Sequence, residues 1–546
     1  MTQPLRAPFA VGPTYAAPAV VAPVMDPPNE RPARGAMPVL VASLVVLIAG
    51  LAVVDTLPVG VFFDDGMYVI LAKSLATGHG LRWLQLPGMP AAAHYPPGYP
   101  AVLALLWAAF PRFPANVVLF KIANACFLAA AAGCVAAFLR RRFAFSSWAA
   151  VALAVIGTAS LPTLVLSAQV MSEPLFLALL VPTLLFAERV IDRDVESGDV
   201  RAAALLGLVV GLVTLVRANG IALAAAAGLL LLTRRRWREA LAFGLATIFV
   251  LLPWQLWVRA NAGATFGVLG GSYEPYSDWL VKGYRHAGVA LAWRTVKATS
   301  REIGTMFAIM AAPSVSHSLQ VAALMIVLVL AAIGARPLWR RAPATAVFLV
   351  GYLLIVLFWP FTPTRFVWAI WPLVLLSPVL GVIEAVRWRP AASPAHAVRI
   401  ATIIAACLVA IGYARYNVHA YRARTWSAIS RRNANAMRPL VQWVRAHTPR
   451  SAVVASDAEP VLYLYAGRSV VPVSQFTVND YFKPATSGES SAALRGILAA
   501  YHVDVIAVMP PDSLRAALQS MASGRSPELV LRDSMTDVVI YSPVSR

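Results

Sequence analysis

The sequence predicts a polytopic α-helical membrane protein with a small α/β domain at its C-terminal end. Of the 546 residues, 59% are hydrophobic and 13% are charged, whereas soluble domains contain roughly 25% charged residues. Apolar runs of roughly 17 residues or more, the length that a membrane-spanning helix requires, recur along most of the chain. After about residue 420, charged and polar residues are interspersed among the apolar ones.

The net charge of +21 would suggest a nucleic-acid-binding protein if the chain were soluble. The arginines instead stand in short clusters between apolar runs, where they determine the orientation of spans beside anionic lipid headgroups. We therefore expect a membrane partner and no nucleic acid. The three cysteines all fall within apolar runs, which favours neither a disulfide framework nor a metal cluster.

The N-terminal segment is predicted to be a disordered cytoplasmic tail covering residues 1–36. It is rich in Pro, Ala and Val and has no pattern that could form a packed core. A cleaved signal peptide would have basic residues directly before an early apolar segment. That order is absent from this segment, so we expect no cleavage.

Basic clusters assign each loop to one side of the membrane, because Lys and Arg accumulate in cytoplasmic loops. The clusters RPAR, RRR, ERVIDRD, RRRWR, RPLWRR and RWRP begin at residues 31, 140, 188, 234, 336 and 387. Placing all of them in the cytoplasm puts the N-terminus inside and the C-terminal domain outside. The eleven predicted spans are then residues 37–57, 116–139, 145–165, 171–189, 202–217, 219–233, 240–258, 317–335, 344–361, 366–386 and 398–414.

A long outer loop, 58–115, is predicted to carry two juxtamembrane helices. The stretch PPGYPAVLALLWAAF (96–110) is short and begins with prolines, and a crossing there would move the RRR cluster outside. We therefore predict an interfacial or re-entrant helix. In DDGMYVILAKSLATG, Tyr68, Leu71, Ala72 and Leu75 share one helical face. This pattern predicts a short amphipathic helix on the outer membrane surface that begins at the double aspartate.

The C-terminal part, residues 419–546, is predicted to be a periplasmic α/β domain, which leaves 37–418 for the transmembrane domain. SAVVAS, RSVVPV, DVIAVM, ELVLRD and DVVIYSP are predicted strands that are interleaved with helices, a pattern typical of a small α/β domain. The tail contains no Gly-rich phosphate loop. The chain has no evident internal repeat, which argues against an inverted-repeat transporter.

Acidic residues on the predicted outer side are candidate functional residues, because charges at an apolar interface are costly. Asp64 could be a helix N-cap, but a cap requires one carboxylate and Asp65 follows directly. Glu173, in MSEPLFLAL, lies at the outer mouth between the third and fourth predicted spans. Its alternative role is a favourable first-turn residue of the fourth span.

Three arginines, Arg217, Arg259 and Arg365, lie at span ends on the same predicted side. Each could simply extend its guanidinium to the interface. Taken together, however, carboxylates and arginines at one membrane face suit an anionic lipid substrate and a general base.

The stretch FFDDGMYVILAKSLATGHGLR, followed by HYPPGYPAVLALLW, resembles the first outer loop of GT-C superfamily membrane glycosyltransferases. The similarity is to the protein O-mannosyltransferase, aminoarabinose transferase and rhizobial lipopolysaccharide sugar transferase type. Asp64, Asp65, Tyr68, Gly78 and the Pro96-Pro97 pair match the pattern of that loop, and MSEPLFLAL resembles the second outer loop of the family. The resemblance covers about residues 37–240, and the rest of the chain resembles the family in architecture.

The resemblance implies an inverting glycosyltransferase that takes a sugar from a polyprenyl-phosphate donor. The acceptor would be a lipid, glycan or protein on the outer face of the bacterial inner membrane. Asp64 aligns with the catalytic position and is expected to be the general base, with Asp65 beside it in the catalytic pair. Asp65 and Glu173 would orient the acceptor or hold a divalent cation, Mg or Mn.

Other residues complete the site that the resemblance implies. Tyr68 and His94 are expected to help orient the acceptor. Aminoarabinose transferases have a lysine just before the proline of the second loop helix, where this chain has Tyr95. The donor phosphate is therefore expected to bind Arg217, Arg365 and Arg259 instead.

Two other function classes remain open at the level of sequence. A lipid-linked sugar transporter or flippase would have polar residues or broken helices at mid-membrane, but the predicted spans 145–165, 240–258 and 317–335 are nearly purely apolar. A non-catalytic membrane scaffold with a partner-binding periplasmic domain would leave the paired loop carboxylates without a role.

Overall fold

The computed structural model describes residues 35–193, 199–265, 267–388, 393–523, 526–535 and 537–544. Residues 1–34 of the predicted disordered tail lie outside these ranges.

The described part of the chain is mainly helical. Up to the last membrane helix, its α-helices are α1 (Met37–Ala52), α2 (Asp64–Ala76), α3 (Gly98–Ala109), α4 (Asn116–Phe143), α5 (Ser147–Thr158), α6 (Leu161–Ala168), α7 (Glu173–Asp192), α8 (Val200–Val216), α9 (Ile221–Thr233), α10 (Trp237–Asn261), α11 (Tyr276–Ala287), α12 (Val289–Ala311), α13 (His317–Arg341), α14 (Pro343–Phe358), α15 (Thr364–Ala369), α16 (Trp371–Val374), α17 (Leu376–Arg387) and α18 (Ser393–Ala423).

Five of these helices, α4, α7, α10, α13 and α18, are long and apolar enough to cross a membrane, and α5 with α6 makes a sixth if the bent pair is one span. Shorter apolar helices, including α1, α8, α9 and α14, occupy four more of the predicted spans. Each of the eleven predicted spans thus coincides with helical segments. The chain is a multi-pass membrane protein, and the number of spans stays a prediction.

Two predicted spans are broken, because prolines at helix starts prevent a continuous helix. The axes of α5 and α6 differ by 56°, and Pro162 stands in the first turn of α6. The predicted span 366–386 consists of α15, α16 and α17, with Pro372 in the first turn of α16. Proline has no backbone N–H to continue the preceding helix, but its fixed φ suits the first turn of a new one.

The first outer loop forms two helices as predicted, but the prediction that α2 is amphipathic is wrong. Met67–Ala72 are buried without a break. One side of α2 packs against α3, and another is covered by the C-terminal part of the chain. There the Lys73 ammonium donates to the Tyr463 hydroxyl at 3.1 Å. An amphipathic surface helix would keep a solvated face, and here a distant segment covers it.

The C-terminal part contains the predicted small sheet. It follows α19 (Thr425–His447) and comprises β1 (Val453–Ala455), β2 (Ser469–Val471), β3 (Val505–Val508), β4 (Leu529–Ser534) and β5 (Val539–Pro543), with helices α20 (Glu459–Val461), α21 (Ser487–Ala500) and α22 (Asp512–Ser523) between the strands. The strand order is β2-β1-β3-β5-β4, in which β1 pairs in parallel with β2 and β3. β5 is antiparallel to its neighbours β3 and β4. All five predicted strands are confirmed.

Candidate functional site

The start of α2 holds the two aspartates in different environments. Phe63, directly before them, has a positive φ of 67°, a backbone conformation that costs energy in a non-glycine residue and that clusters at functional sites. The Asp65 carboxylate turns back and accepts the backbone N–H of Phe62 at 3.1 Å. Within the described residues the Asp64 carboxylate accepts hydrogen bonds from side chains and none from a backbone N–H, so it does not act as the helix cap.

Asp64 belongs to a network of four charged side chains from four parts of the sequence. One carboxylate oxygen, Oδ1, accepts the Tyr95 hydroxyl, and the other, Oδ2, pairs with Nη1 of Arg365. The Nε–H of Arg365 also donates to Oε1 of Glu173. The same Glu173 oxygen lies 2.8 Å from Nη1 of Arg217. Two carboxylates and two guanidiniums therefore balance each other in one cluster.

The network has a closed end and a partly open end. Glu173 and Arg217 are 1% and 8% exposed, whereas the side chains of Asp64 and Arg365 are each 25% exposed. At the closed end, Arg217 donates to the Ser172 hydroxyl at 2.9 Å, and that oxygen lies 3.2 Å from the Tyr68 hydroxyl. The buried Nε of Arg217 is one of the few side-chain donors without a partner in the described part of the chain.

The pKa values of the two aspartates are shifted in opposite directions. Burial raises the pKa of Asp64, but the charge of Arg365 and the hydrogen bonds from Tyr95 and Arg365 outweigh burial and hold the pKa below its usual range. Burial raises the pKa of Asp65 to about 6 despite its bonds to backbone N–H groups. At neutral pH Asp64 is therefore a permanent carboxylate. Two acidic groups whose environments separate their pKa values are typical of sites with distinct roles for each.

Most of the predicted site residues meet at this network, although several do not. His94 is buried beside it and donates from Nδ1 to the carbonyl of Glu274 at 2.5 Å. Its ring packs against Tyr95 and Tyr276, with centroids 4.6 Å and 4.0 Å away. Arg259, predicted to bind phosphate, is instead exposed near the end of α10 and forms no ion pair within the described residues.

Asp65 and Glu173, the two residues predicted to hold Mg or Mn, are both engaged by other groups. Glu173 already carries two guanidiniums, and Asp65 is bonded to backbone N–H groups. In the described ranges, no three His, Cys, Asp or Glu side chains come together as a metal-binding group. The positive charge near the carboxylates is supplied by Arg217 and Arg365.

Sequence reasoning did not assign a role to Tyr95 or Ser172, although both form hydrogen bonds with residues of the network. Each directly follows or precedes a predicted site residue, His94 or Glu173. That adjacency was the only signal in the sequence.

An apolar cavity of about 490 Å³, which Trp371, Tyr413 and Phe138 help to line, contains none of the network residues.

Comparison with solved structures finds two that are similar to this chain. The crystal structure of ArnT from Cupriavidus metallidurans bound to undecaprenyl phosphate is 13% identical, covers 93% of this chain and 98% of its own, and has a TM-score of 0.50. The crystal structure of the Archaeoglobus fulgidus oligosaccharyltransferase in complex with Zn and sulfate is 11% identical, covers 86% of this chain and 67% of its own, and has a TM-score of 0.47.

Comparison at the level of sequence adds no relative. No protein-family model matches the chain, and the comparison with curated proteins found no match. The structural similarity to ArnT extends over nearly the full length of both chains. It agrees with the resemblance of the two outer loops that carry Asp64 and Glu173. The chain therefore shares the fold of ArnT over nearly its whole length.

Proposed function

We propose that the protein is an inverting glycosyltransferase that moves a sugar from a polyprenyl-phosphate donor to a hydroxyl-bearing lipid, glycan or protein acceptor. The reaction would take place on the outer face of the bacterial inner membrane, with the C-terminal domain in the periplasm. The observation that carries the proposal is the ionised Asp64 carboxylate at the open end of a cluster with two arginines. The fold shared with an ArnT that was crystallised with undecaprenyl phosphate supports this class of donor.

In this mechanism Asp64 is the general base. It accepts the proton of the acceptor hydroxyl as the hydroxyl oxygen forms a bond to the anomeric carbon from the face opposite the phosphate. The bond between the anomeric carbon and the phosphate oxygen breaks, and its electron pair leaves with the polyprenyl phosphate. Arg365 and Arg217 neutralise the developing charge on that phosphate.

The geometry also indicates an order of binding. Both oxygens of Asp64 are engaged, one by Tyr95 and the other by Arg365. An acceptor hydroxyl requires one of them. A donor phosphate offers Arg365 a better bidentate partner than a single carboxylate oxygen. We therefore expect Arg365 to turn from Asp64 to the phosphate, so that donor binding frees the base before the acceptor reacts.

The deciding experiment is Asp64→Asn in purified protein at saturating donor. Asparagine is nearly isosteric, and general-base catalysis contributes typically about 10²- to 10⁴-fold to a rate. We expect kcat to fall by at least about 100-fold while the protein still binds donor. Asp65→Asn is the matched control, because its carboxylate is bonded to backbone and lies outside the network, and it should lose much less activity. Comparable turnover by Asp64→Asn and the native protein would exclude the proposed base.

A further inference from the structure

Outside the network, α11 and α12 carry a cluster of exposed basic residues at the same end of the molecule. The ring of Tyr276, the first residue of α11, lies 4.0 Å from that of His94, which places these helices beside the site. Positive residues normally accumulate in cytoplasmic loops, whereas this end is the predicted outer side. Arg285, Arg294, Lys297 and Arg301 are nevertheless all exposed here. We call these four residues the basic face.

On α12, the basic face adjoins an exposed apolar strip formed by Val289 and Trp293. Val289 is 86% and Trp293 is 71% exposed, and at 100° per residue both lie on the edge of the helix next to Lys297 and Arg301. The opposite side of α12 is buried, with Leu291, Thr295 and Thr299 fully covered. α12 therefore packs one face on the protein and presents a second face that is apolar along one edge and cationic along the other.

The charges on this face are largely uncompensated by the protein. Among the described residues, Arg285, Lys297 and Arg301 form no ion pair with a carboxylate within 4.0 Å. Arg294 stacks on the ring of Phe482, with the guanidinium carbon 4.3 Å from the ring centroid, so it has a structural role as well. Positive charge beside an exposed Trp is the arrangement of helices that lie in the interface of anionic membranes.

We propose that the basic face and its apolar strip bind the anionic headgroups of the outer leaflet, with Val289 and Trp293 inserted at the acyl boundary. The inference goes beyond the proposed transfer reaction and does not depend on it. Three observations support a bilayer as the partner: the charge complementarity, the adjacent apolar strip, and the continuation of α12 after five residues into α13, a helix long enough to span the membrane. Anchored in this way, α11 would hold Tyr276 against His94.

The test uses the full-length protein in lipid nanodiscs of phosphatidylcholine with or without phosphatidylglycerol. Ser300, exposed on the same edge of α12 as Val289 and Trp293, becomes the single labelling site after Ser300→Cys, with Cys126, Cys134 and Cys407 changed to Ala. The label is a nitrobenzoxadiazole fluorophore, and the quencher is a phosphatidylcholine with a nitroxide on its acyl chain. We expect stronger quenching with phosphatidylglycerol, and a loss of that increment at 1 M salt, where the Debye length falls to about 3 Å.

The charge-removal variant is Lys297→Gln with Arg301→Gln, which should lose the phosphatidylglycerol-dependent quenching. The matched control is Arg450→Gln with Arg532→Gln, which removes two exposed charges from the C-terminal sheet region and should retain it. Equal quenching with and without phosphatidylglycerol would overturn the proposal, because headgroup charge would then play no part. An absence of quenching in both lipids would also overturn it and would leave the face to a soluble anionic partner. If the double variant fails to fold, the salt titration of the labelled protein alone decides.

Discussion

At the scale of single residues, the Tyr95 hydroxyl adjusts the pKa of Asp64, the proposed base. Its hydrogen bond to Asp64 stabilises the ionised carboxylate and helps to lower its pKa. Tyr95→Phe removes the bond, so the pKa of Asp64 rises and the acid limb of the pH profile of kcat/KM moves to higher pH. A hydrogen bond to a charged group is worth about 1.5–3 kcal/mol, which corresponds to about one or two pH units.

The matched control for this prediction is Tyr99→Phe. Tyr99 is equally buried, but its hydroxyl donates to Asn124 at 3.1 Å and does not contact Asp64. Its loss should affect stability and leave the acid limb in place. An acid limb that does not move in Tyr95→Phe, or that moves equally in both variants, would mean that Asp64 is not the group that the profile reports.

Asp65 should affect stability more than chemistry. Its pKa is about 6 in the folded protein and about 3.9 in an unfolded chain. The folded protein therefore binds the proton more tightly, and the contribution of Asp65 to stability is lost as the pH rises from about 4 to about 6. The loss amounts to about 3 kcal/mol. Asp65→Asn stays neutral, so its Tm relative to the native protein should increase across that window and level off above it.

Thermal unfolding in detergent between pH 4 and pH 8 measures this difference. A Tm difference that is constant over the whole range would show that Asp65 has an ordinary pKa and that burial does not disfavour its charge.

The two aspartates also mark the limit of what the sequence could reveal at this scale. Adjacent residues on a helix point about 100° apart, so one carboxylate at the start of α2 had to face a different environment from the other. The sequence places both at a helix start but does not determine which one meets a cation. The partner, Arg365, is 301 positions away in the chain, and no local pattern specifies so distant a contact.

At the scale of elements, the burial of α2 by the C-terminal part depends on a close approach of backbone. A Cβ added at Gly66 would lie 2.4 Å from Cβ of Pro460 and 2.6 Å from Cα of Gly60. Because neither group can rotate away, Gly66→Ala should destabilise the protein by about 1–3 kcal/mol. It should also lower kcat, since the helix that carries Asp64 must shift. Thermal unfolding and steady-state rates measure the two effects.

Gly244→Ala is the matched control within α10. No atom lies within 4 Å of the position of its added Cβ, and alanine favours a helix over glycine by about 1 kcal/mol. This variant should be as stable as the native protein or more so. If Gly66→Ala were equally stable, the contact between α2 and α20 would not constrain the helix.

Elements were predicted best where a local period or composition determines them. The five strands of the tail and the start of α2 at Asp64 follow from alternation, turn residues and apolar runs. The amphipathic character predicted for α2 was wrong because the segment that covers it, α20, comes from nearly 400 residues later. The breaks at α5–α6 and α15–α17 coincide with prolines that hydropathy averages over, since a window of apolar residues does not distinguish a straight span from a bent one.

At the scale of the whole molecule, the predicted orientation rests on a separation of charge between the two ends of the helix bundle. The predicted cytoplasmic clusters meet at one end. Arg142 pairs with Asp192, and the Nε–H of Arg142 donates to the carbonyl of Arg341 at 2.7 Å. Arg236 donates to the carbonyl of Val190 at 2.6 Å. α7 connects this end to the network, because Glu173 begins the helix and Asp192 ends it. Its 20 residues span about 30 Å, the thickness of the hydrocarbon core.

This separation predicts the outcome of reporter fusions along the chain. Because the basic clusters should stay in the cytoplasm, reporters fused after residues 142, 236 and 338 should give cytoplasmic signals. A reporter after residue 420 should give a periplasmic signal. As a control, each site is fused separately to two reporters, one active only in the cytoplasm and the other only in the periplasm, and the two should give opposite results. A cytoplasmic signal after 420, with the other three unchanged, would require an even number of crossings in α14–α18, instead of the predicted three, and would remove the tail from the predicted side. Inversion of all four signals would place Asp64 and Arg365 at the cytoplasmic face, and transfer on the outer face would then be excluded.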